Sequence, residues 1–433
     1  MIKVVSLLSV AIVAAASGGM QHGDPIAGVL LSLAVILVAA KLSGDLATRI
    51  GQPAVLGEMI AGILLGNLCL AGFNSLEFIK HDVTVDMLAR LGVIILLFEV
   101  GLESTVAQMM KVGLSSFLVA TVGVALPFAL GWGVGALLLP GHSVYVHIFI
   151  GATLTATSVG ITARVLKDLK REKSVEARII LGAAVIDDVM GLIILSVVTG
   201  VIMAASSGMA VSAWAVFAII LKAIVFLAGA LVLGVYLSPL FFRIASKLRG
   251  GSVLLAAGLA FCFTLSWLAD LAGLAPIVGA FAAGLILEDL HYKDFTGRGE
   301  HGLEELIKPV SSFLVPVFFV LMGMRTDLSV FGSGEVLLLA AALTAAAIIG
   351  KQACSFGAIG KGLDRLSVGI GMIPRGEVGL IFANIGMGLA VAGEAIINKT
   401  TYSAVVVMVI LTTLVTPPAL KWSMSRHNDR KQP

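Results

Sequence analysis

The sequence predicts an all-α membrane protein, because it is strongly apolar, poor in charge and rich in glycine. Of its 433 residues, 58% are hydrophobic and only 13% are charged, whereas a typical soluble domain has about 25% charged residues. The mean hydropathy is +1.05. The 49 glycines are spread through the apolar runs, and small residues let membrane helices approach one another closely. Most of the chain is therefore expected to lie in lipid.

About thirteen apolar runs are long enough to cross a bilayer, which takes roughly 20 apolar residues per helix. The connections between them are short, and none is long enough to form a soluble domain. The runs lie near residues 25–43, 53–71, 85–105, 112–139, 145–166, 177–203, 212–235, 251–271, 273–289, 307–325, 335–357, 366–392 and 401–422.

The N-terminal segment, residues 1–20, contains a shorter apolar run behind Lys3. The run covers residues 4–16, and small residues follow it. This pattern favours a signal peptide, and the alternative is one additional short span.

The basic residues predict the orientation of the chain. With the start of the first span outside the cell, 21 of the 29 lysines and arginines fall on the cytoplasmic side and four fall outside. Cytoplasmic loops of membrane proteins carry such an excess of basic residues. We therefore expect a multi-pass protein of the bacterial inner membrane, with its N-terminus outside. Its C-terminus, a short tail over residues 423–433, is expected in the cytoplasm.

Two segments of the chain resemble each other. PAVLGEMIAGILLG (53–66) and PIVGAFAAGLILE (276–288) share a proline, a valine two places later and an Ala-Gly pair. From Gly62 to Gly101 is 39 residues, and from Gly284 to Gly323 is again 39 residues. The copies fall on the second and third spans and on the ninth and tenth, so they cross the membrane in opposite directions. Inverted repeats of this kind are typical of secondary transporters.

Two adjacent acids lie in the middle of the sixth span. Asp187 and Asp188 stand in the run LGAAVIDDVMGLIIL, with no lysine or arginine within eight residues on either side. A rise of 1.5 Å per residue places them near the centre of a hydrocarbon layer about 30 Å thick. One charge there costs about 2.5–3.5 kcal/mol, and two acids repel each other. The pair is therefore predicted to face a cavity and a substrate.

Two further spans carry signs of an interrupted helix. The fifth reads GATLTATSVGITARVL, in which Thr157 and Ser158 belong to a cluster of hydroxyl residues. The twelfth reads GIGMIPRGEVGLIFANIG, in which Pro374 and Gly376 break the pattern around Arg375 and Glu377. Irregular backbone is tolerated at this depth only beside a cavity, and paired interrupted spans indicate a transporter site. An ordinary helix whose hydroxyls bond its own carbonyls stays the alternative for the fifth span.

Three other charged residues complete the candidate site. Arg375 and Glu377 are predicted to compensate charge, either for each other or for the ends of half-helices, rather than to bind an ion. Lys351, beside Gly350 in the eleventh span, is the remaining candidate residue of the site. The alternative for Lys351 is a lysine that extends its ammonium group to the membrane surface.

With these motifs assembled, the chain resembles bacterial sodium/proton antiporters of the NapA type, within the monovalent cation:proton antiporter superfamily. The resemblance runs from about residue 25 to 422, in the family's order. The motifs that carry it are GQPAVLGEMIAGILLG, TATSVGITARVL, LGAAVIDDVMGL, GLAPIVGAFAAGLIL, IIGK and GMIPRGEVGLI. The longer cytoplasmic stretch at 291–306 and the N-terminal run depart from the family pattern.

The resemblance implies thirteen membrane helices in a homodimer, with two interrupted helices that cross in a core domain packed on a dimerisation domain. It assigns 25–105 to first-half spans, partly scaffold, and 112–203 to the first three-helix core unit. It assigns 212–325 to a linker helix and second-half scaffold spans, and 335–422 to the second core unit. By motif, Asp188 corresponds to the carboxylate that binds cation and proton, Asp187 to the partner of Lys351, and Thr157 and Ser158 to the crossover.

These observations predict a secondary transporter, not an enzyme, that exchanges Na⁺ or Li⁺ for H⁺ by elevator-type alternating access and is electrogenic. Asp187 and Asp188 are the predicted Na⁺ ligands. No cofactor, nucleic acid or nucleotide-binding regulatory domain is expected; the partners are the lipid bilayer, monovalent cations and a second copy. A K⁺/H⁺ antiporter of the same superfamily is the alternative.

Two other classes of protein fit the sequence less well. An intramembrane aspartyl enzyme would need a second aspartate motif. A channel would not explain the repeat and the midplane charges.

Overall fold

The computed structural model describes most of the chain from Pro25 to Asp429. The predicted signal peptide or short span at residues 1–20 lies outside the described residues, as do residues 430–433 of the tail and most of the stretch 291–306. The described residues are 25–74, 76–103, 113–158, 162, 165–166, 169, 171, 174–207, 213–248, 252–287, 302–332, 334–360 and 362–429.

The described chain is almost entirely helical. Its α-helices, in chain order, are α1 (Pro25–Arg49), α2 (Ala54–Gly66), α3 (Val83–Glu103), α4 (Leu114–Leu138), α5 (Val144–Thr153), α6 (Val175–Ser206), α7 (Ala213–Ala245), α8 (Val253–Leu271), α9 (Pro276–Ile286), α10 (Leu303–Met324), α11 (Gly334–Gln352), α12 (Arg365–Gly371), α13 (Glu377–Met387) and α14 (Lys399–Asp429). Short 3₁₀ helices cover Leu68–Ala71, Glu77–His81, Leu328–Gly332 and Ala353–Gly357.

One small hairpin interrupts the helical pattern. Strands β1 (Ala390–Val391) and β2 (Glu394–Ala395) pair antiparallel between α13 and α14. The two residues between the strands, Ala392 and Gly393, both have positive φ angles of 52° and 83°. A two-residue turn with both φ angles positive suits the right-handed twist of a hairpin.

The chain divides into two compact units. The first comprises the chain up to Val93 together with Val310–Gly332, and the second comprises Ile94–Pro309 and the chain from Ser333 onward. In the first unit, Asn67 closes the end of α2. Its amide nitrogen donates to the carbonyl oxygens of Ile63 at 2.8 Å and Thr326 at 2.7 Å, and its amide oxygen accepts from the backbone nitrogen of Leu328 at 2.9 Å.

The second unit contains the helices of both predicted core regions, and side chains cap the starts of α6 and α12. Ser174 accepts a hydrogen bond from the backbone nitrogen of Ala177 at 3.1 Å at the start of α6. Asp364 accepts from the backbone nitrogen of Ser367 at 3.2 Å at the start of α12. Such caps satisfy amide groups that have no partner within the helix.

Seven described helices are long and apolar enough to cross a membrane: Ile26–Arg49, Leu114–Leu138, Val175–Ser206, Val253–Leu271, Leu303–Met324, Gly334–Gly357 and Lys399–Arg426. The predicted total of thirteen stays a prediction. The second run forms α2, of 13 residues, followed by the 3₁₀ helix Leu68–Ala71, and the ninth run contains the short helix α9, of 11 residues. Pro53 precedes α2 and Pro276 begins α9, and proline without its N–H suits a helix start.

The two short helices occupy equivalent packing positions. A β-carbon on Gly62 of α2 would lie 2.2 Å from the carbonyl oxygen of Val320 on α10. A β-carbon on Gly284 of α9 would lie 2.2 Å from the carbonyl oxygen of Phe98 on α3. Gly62 corresponds to Gly284 in the repeat, and Phe98 corresponds to Val320 by the same shift in residue number. Backbone contact this close requires glycine.

The reciprocal contacts follow the same register. A β-carbon on Gly323 would lie 2.2 Å from the carbonyl oxygen of Met59, and one on Gly101 would lie 2.4 Å from that of Phe281. The earlier glycines of the repeat, Gly57 and Gly279, likewise lie against the carbonyl oxygens of Ser43 and Leu265, at 2.2 Å and 2.1 Å from the added carbon. The sequence repeat therefore corresponds to a repeat of packing contacts.

Candidate ion-binding site

The candidate site forms around the two adjacent acids of α6. Lys351, in the last turn of α11, donates a hydrogen bond from Nζ to Oδ1 of Asp187 at 2.8 Å. Both side chains are fully buried, with 0% exposure. Asp188, the next residue on α6, is also buried. A buried ion pair is strongly destabilised when one partner is removed, because the other charge stays without compensation.

The interrupted spans meet beside this pair. The fifth predicted span stops being helical at Thr153, and residues 156–158 have no regular structure. The twelfth consists of α12, which ends at Gly371, and α13, which begins at Glu377. The backbone nitrogen of Ser158 donates to the carbonyl oxygen of Pro374 at 2.8 Å. The two breaks therefore bond directly to each other.

A second contact joins the two breaks. The hydroxyl group of Thr162 donates to the carbonyl oxygen of Gly371 at 2.6 Å. Gly371 is the last residue of α12, and the last carbonyls of a helix have no donor of their own. Thr162 therefore satisfies the end of one half-helix from the other interrupted span.

Arg375 connects the breaks through its guanidinium group. The side chain is fully buried, and its Nη1 donates to the carbonyl oxygens of Thr155, at 3.2 Å, and Ala156. These carbonyls follow the C-terminal end of α5, where the helix dipole is negative. The arginine therefore places positive charge against the end of a half-helix, which is one of the two arrangements that the sequence leaves open for this residue.

The backbone of Arg375 is held by α14. The hydroxyl oxygen of Thr412 accepts from the backbone nitrogen of Arg375 at 3.3 Å, and the hydroxyl group of Thr413 donates to its carbonyl oxygen at 2.7 Å. The sequence reasoning missed both threonines. The adjacent hydroxyls in LTTLVTPP are a signal for them, since a broken helix leaves backbone groups that side-chain hydroxyls can satisfy.

The face of α6 that carries Asp188 is turned toward the same break. Gly191 lies three residues after Asp188 and four after Asp187, so it is on the face of α6 that lies between the two acids. A β-carbon on Gly191 would lie 4.0 Å from Oγ1 of Thr155 and 3.9 Å from Cζ of Phe382. The side of α6 next to both acids therefore approaches the end of α5.

Some polar atoms at the site have no hydrogen-bond partner within the described part of the chain. They are Oδ2 of Asp187, Oγ1 of Thr157, and Nε and Nη2 of Arg375, all of which are buried. An unsatisfied buried polar group costs about 1–3 kcal/mol. Buried carboxylate and hydroxyl oxygens that have no hydrogen-bond partner can accept a proton or a hard cation.

The structure thus brings Asp187 together with Lys351, and Ser158 and Arg375 together at the two breaks. Asp188 and Thr157 are buried in the same unit. Glu377 is the first residue of α13, but its side chain lies outside the described part. The ion-binding and charge-compensating roles of these residues stay predictions.

Contacts between loops identify two ends of the second unit. His142 Nδ1 lies 2.6 Å from Oε1 of Glu394, which joins the loop before α5 to the hairpin after α13. The hydrogen bond from His142 holds the pKa of Glu394 below its usual value against the opposing effect of partial burial, and the backbone nitrogen of Ser143 adds a second bond at 3.3 Å.

The other end joins the segments before α6 and α12. The backbone nitrogen of Asp364 donates to Oε1 of Glu176 at 3.2 Å. The thirteen-span threading places His142 and Glu394 on one side of the membrane, and Glu176 and Asp364 on the other. Both contacts agree with that alternation.

Within the described residues, no three His, Cys, Asp or Glu side chains gather as at a protein-bound metal centre. The three cysteines are free thiols.

The fold is similar to that of a solved antiporter. The structure of the sodium proton antiporter MjNhaP1 from Methanocaldococcus jannaschii matches 93% of this chain and 99% of its own, with a TM-score of 0.66 at 16% sequence identity. The chain therefore has the fold of an ion antiporter.

The sequence comparisons define the family. The model for the transmembrane sodium/hydrogen exchanger family matches residues 32–426, and the chain belongs to this family, within the monovalent cation/proton antiporters. The high-affinity Na⁺/H⁺ antiporter NhaS3 of Synechocystis is 39% identical over 92% of this chain and 90% of its own. The Na⁺/H⁺-K⁺ antiporter GerN of Bacillus cereus is 36% identical over 90% of this chain and 95% of its own.

Proposed function

We propose that this protein exchanges Na⁺ or Li⁺ for H⁺ across the bacterial inner membrane, and that the exchange is electrogenic. The observation that carries the proposal is the fully buried ion pair of Lys351 and Asp187, next to Asp188 and beside two interrupted helices. The names of NhaS3 and GerN support this substrate class.

The arrangement suits competition between a proton and a cation. In transporters with discontinuous helices, unwound carbonyls and the C-terminal ends of half-helices coordinate Na⁺ or H⁺ near the midplane. Here Asp188, Oδ2 of Asp187 and Oγ1 of Thr157 supply the candidate oxygen atoms. Either a proton or a cation neutralises the same carboxylates, so the binding of one displaces the other.

Lys351 and Arg375 set the charge of the empty site. Lys351 compensates Asp187, and Arg375 compensates the carbonyls at the end of α5. Asp188 is the second buried acid, directly after Asp187 on α6, and it corresponds by motif to the carboxylate that binds cation and proton in the family. We assign it the principal cation- and proton-binding role.

The proposal includes the architecture that the resemblance implies. The helices around the Asp pair and around Lys351 move as a core domain against a dimerisation domain in an elevator-type cycle, and the protein is a homodimer with its N-terminus outside. The repeated glycine contacts of α2, α3, α9 and α10 support an inverted repeat, the architecture in which such alternating access is found.

Potassium is the second candidate ion. Carboxylates, hydroxyls and carbonyls accept Na⁺ and K⁺ alike, and the name of GerN includes both. A K⁺/H⁺ antiporter of the same superfamily would use the same residues.

The test is transport by the purified protein in proteoliposomes with an imposed pH gradient. Sodium, lithium and potassium are added in turn while internal pH and membrane potential are recorded. We expect sodium and lithium to dissipate the gradient with a net charge movement. A response to potassium alone would select the second candidate, and no response to any of the three would contradict the proposal.

A further inference from the structure

The helix that packs against Lys351 has an internal proline. Pro127 lies within α4, and proline has no backbone N–H to donate to the carbonyl four residues earlier. That carbonyl belongs to Gly123. No hydrogen bond from outside α4 reaches it within the described residues. Gly123 therefore presents a backbone oxygen that lacks its regular helical donor.

Gly123 lies beside the ammonium group of Lys351. A β-carbon on Gly123 would lie 3.5 Å from Nζ of Lys351, 3.6 Å from its Cδ and 3.3 Å from Cβ of Cys354. An ammonium group has three donors, and one of them is used on Asp187. The ammonium group of Lys351 is thus close to the backbone of Gly123, and it makes no hydrogen bond to the carbonyl oxygen of Gly123 in this conformation.

The position of the proline relative to the lysine is fixed by close packing. A β-carbon on Gly350 would lie 2.9 Å from Cγ and 3.0 Å from Cα of Pro127. Because Gly350 directly precedes Lys351, the contact that holds the proline also holds the lysine backbone. The open carbonyl and the lysine are therefore kept together by the same helix pair.

We propose that the carbonyl oxygen of Gly123, left open by Pro127, accepts a hydrogen bond from Nζ of Lys351 when a cation displaces the lysine from Asp187. This inference rests on the proposed function. It adds Gly123 and Pro127 as positioning residues that do not touch the ion. Without a second acceptor, a displaced lysine would leave its donors unsatisfied in a buried site, which disfavours cation binding.

The test restores the missing N–H. Pro127→Val supplies an amide for the Gly123 carbonyl and keeps a branched side chain against Gly350. We expect the apparent Kd for sodium, measured from sodium-dependent thermal stabilisation of the full-length protein, to rise about tenfold, the effect of one hydrogen bond to a charged group. Pro239→Val, at the internal proline of α7, is the matched control and should leave the Kd unchanged.

Two measurements separate this role from damaged packing. The melting temperature of Pro127→Val without sodium should equal or exceed that of the wild type, because a hydrogen bond has been added. A lower value together with weaker binding would overturn the proposal. In a Lys351→Met background, which has no N–H to donate, Pro127→Val should no longer change the Kd, and a persistent tenfold effect would also overturn it.

The outcomes also separate this inference from the proposed function. A wild-type protein that shows no stabilisation by sodium, lithium or potassium would contradict the antiporter proposal itself. A wild type that binds sodium, with an unchanged Kd in Pro127→Val, would contradict only the role of Gly123.

Discussion

Two neighbouring carboxylates on α6 have different surroundings, and this difference determines their expected roles. Asp187 is held by Lys351 at 2.8 Å, and Asp188 is buried next to it on the same helix. Consecutive residues on a helix point about 100° apart, so a single pair of acids can face a fixed partner and an ion site at once. The two residues have identical side chains, and the ion pair with Lys351 gives Asp187 a different environment in the structure.

Asp188→Asn should abolish exchange while the protein stays folded. The amide has nearly the shape of the acid, but it neither releases a proton nor neutralises a cation. Proton flux in response to sodium in proteoliposomes and the size-exclusion profile of the purified variant check this prediction. Substantial sodium-dependent flux from a folded Asp188→Asn protein would remove Asp188 from the carrier role.

Lys351→Gln should reduce the net charge moved per sodium ion more than it reduces sodium binding. If two protons exchange for one sodium ion, one net charge crosses, and transport responds to voltage at about 2.3 kcal/mol per charge per 100 mV. Lys351 belongs to the buried ion pair, so its charge is expected to contribute to the net charge that crosses with each sodium ion. Current per sodium ion in the variant and in the wild type is the measurement. An unchanged ratio would exclude the lysine from the coupling.

At the residue scale, the sequence located the acids because charge in an apolar run is costly. It could not join Asp187 to Lys351 by pattern, since 164 residues separate them; only the family resemblance implied that contact. Gly123 and Thr412 were missed because their roles depend on which helix lies opposite. Periodicity within one segment carries no such information.

At the scale of elements, the sequence predicted the break in the twelfth span, and the structure places it between Gly371 and Glu377. Proline and glycine interrupt a helix by local chemistry, so a local signal was sufficient. The sequence did not predict that α2 ends at Gly66 and passes into a 3₁₀ helix, because an apolar run does not reveal where the helix within it ends. Tertiary contacts, such as those of Asn67, determine that end.

Gly62→Ala should destabilise the protein, because the added methyl group would lie 2.2 Å from a backbone oxygen of α10. Backbone cannot yield as a side chain can, and overpacking costs about 1–3 kcal/mol or more. Gly133→Ala is the matched control, since its β-carbon would meet nothing within 4 Å. Melting temperatures in detergent compare the two. Equal stability of both variants would argue against the close contact.

The contact of His142 with Glu394 should make one end of the second unit sensitive to acid. The pKa of Glu394 is lowered in the fold, so its stabilising contribution is complete above the unfolded pKa of about 4.3. It is lost as the pH falls through the lower folded value. The effect is small because the pair is one-third exposed.

Melting curves of the wild type and of Glu394→Gln between pH 3 and 7 check this prediction. The wild type should have a small advantage near neutral pH that disappears at the acid end of the range. A difference that grows as the pH falls would have the opposite sign and would contradict the role of the pair.

At the scale of the whole molecule, the orientation of the chain can be tested directly. A cysteine introduced at Gly141 should react with a membrane-impermeant reagent added outside intact cells, and a reporter fused after Pro433 should be active in the cytoplasm. These outcomes follow from the excess of basic residues on one side of the threading. Labelling at Gly141 only after permeabilisation would contradict the thirteen-span threading.

The close contact between α2 and α10 also has a consequence for biosynthesis. Gly62 emerges from the ribosome long before Gly323, and at about 5–20 residues per second the interval is on the order of tens of seconds. During that time the glycine face of α2 lacks the backbone against which it packs. A nascent chain is therefore exposed to membrane chaperones and proteases until α10 is made, and the cell can recognise a prematurely terminated chain by this unfilled surface.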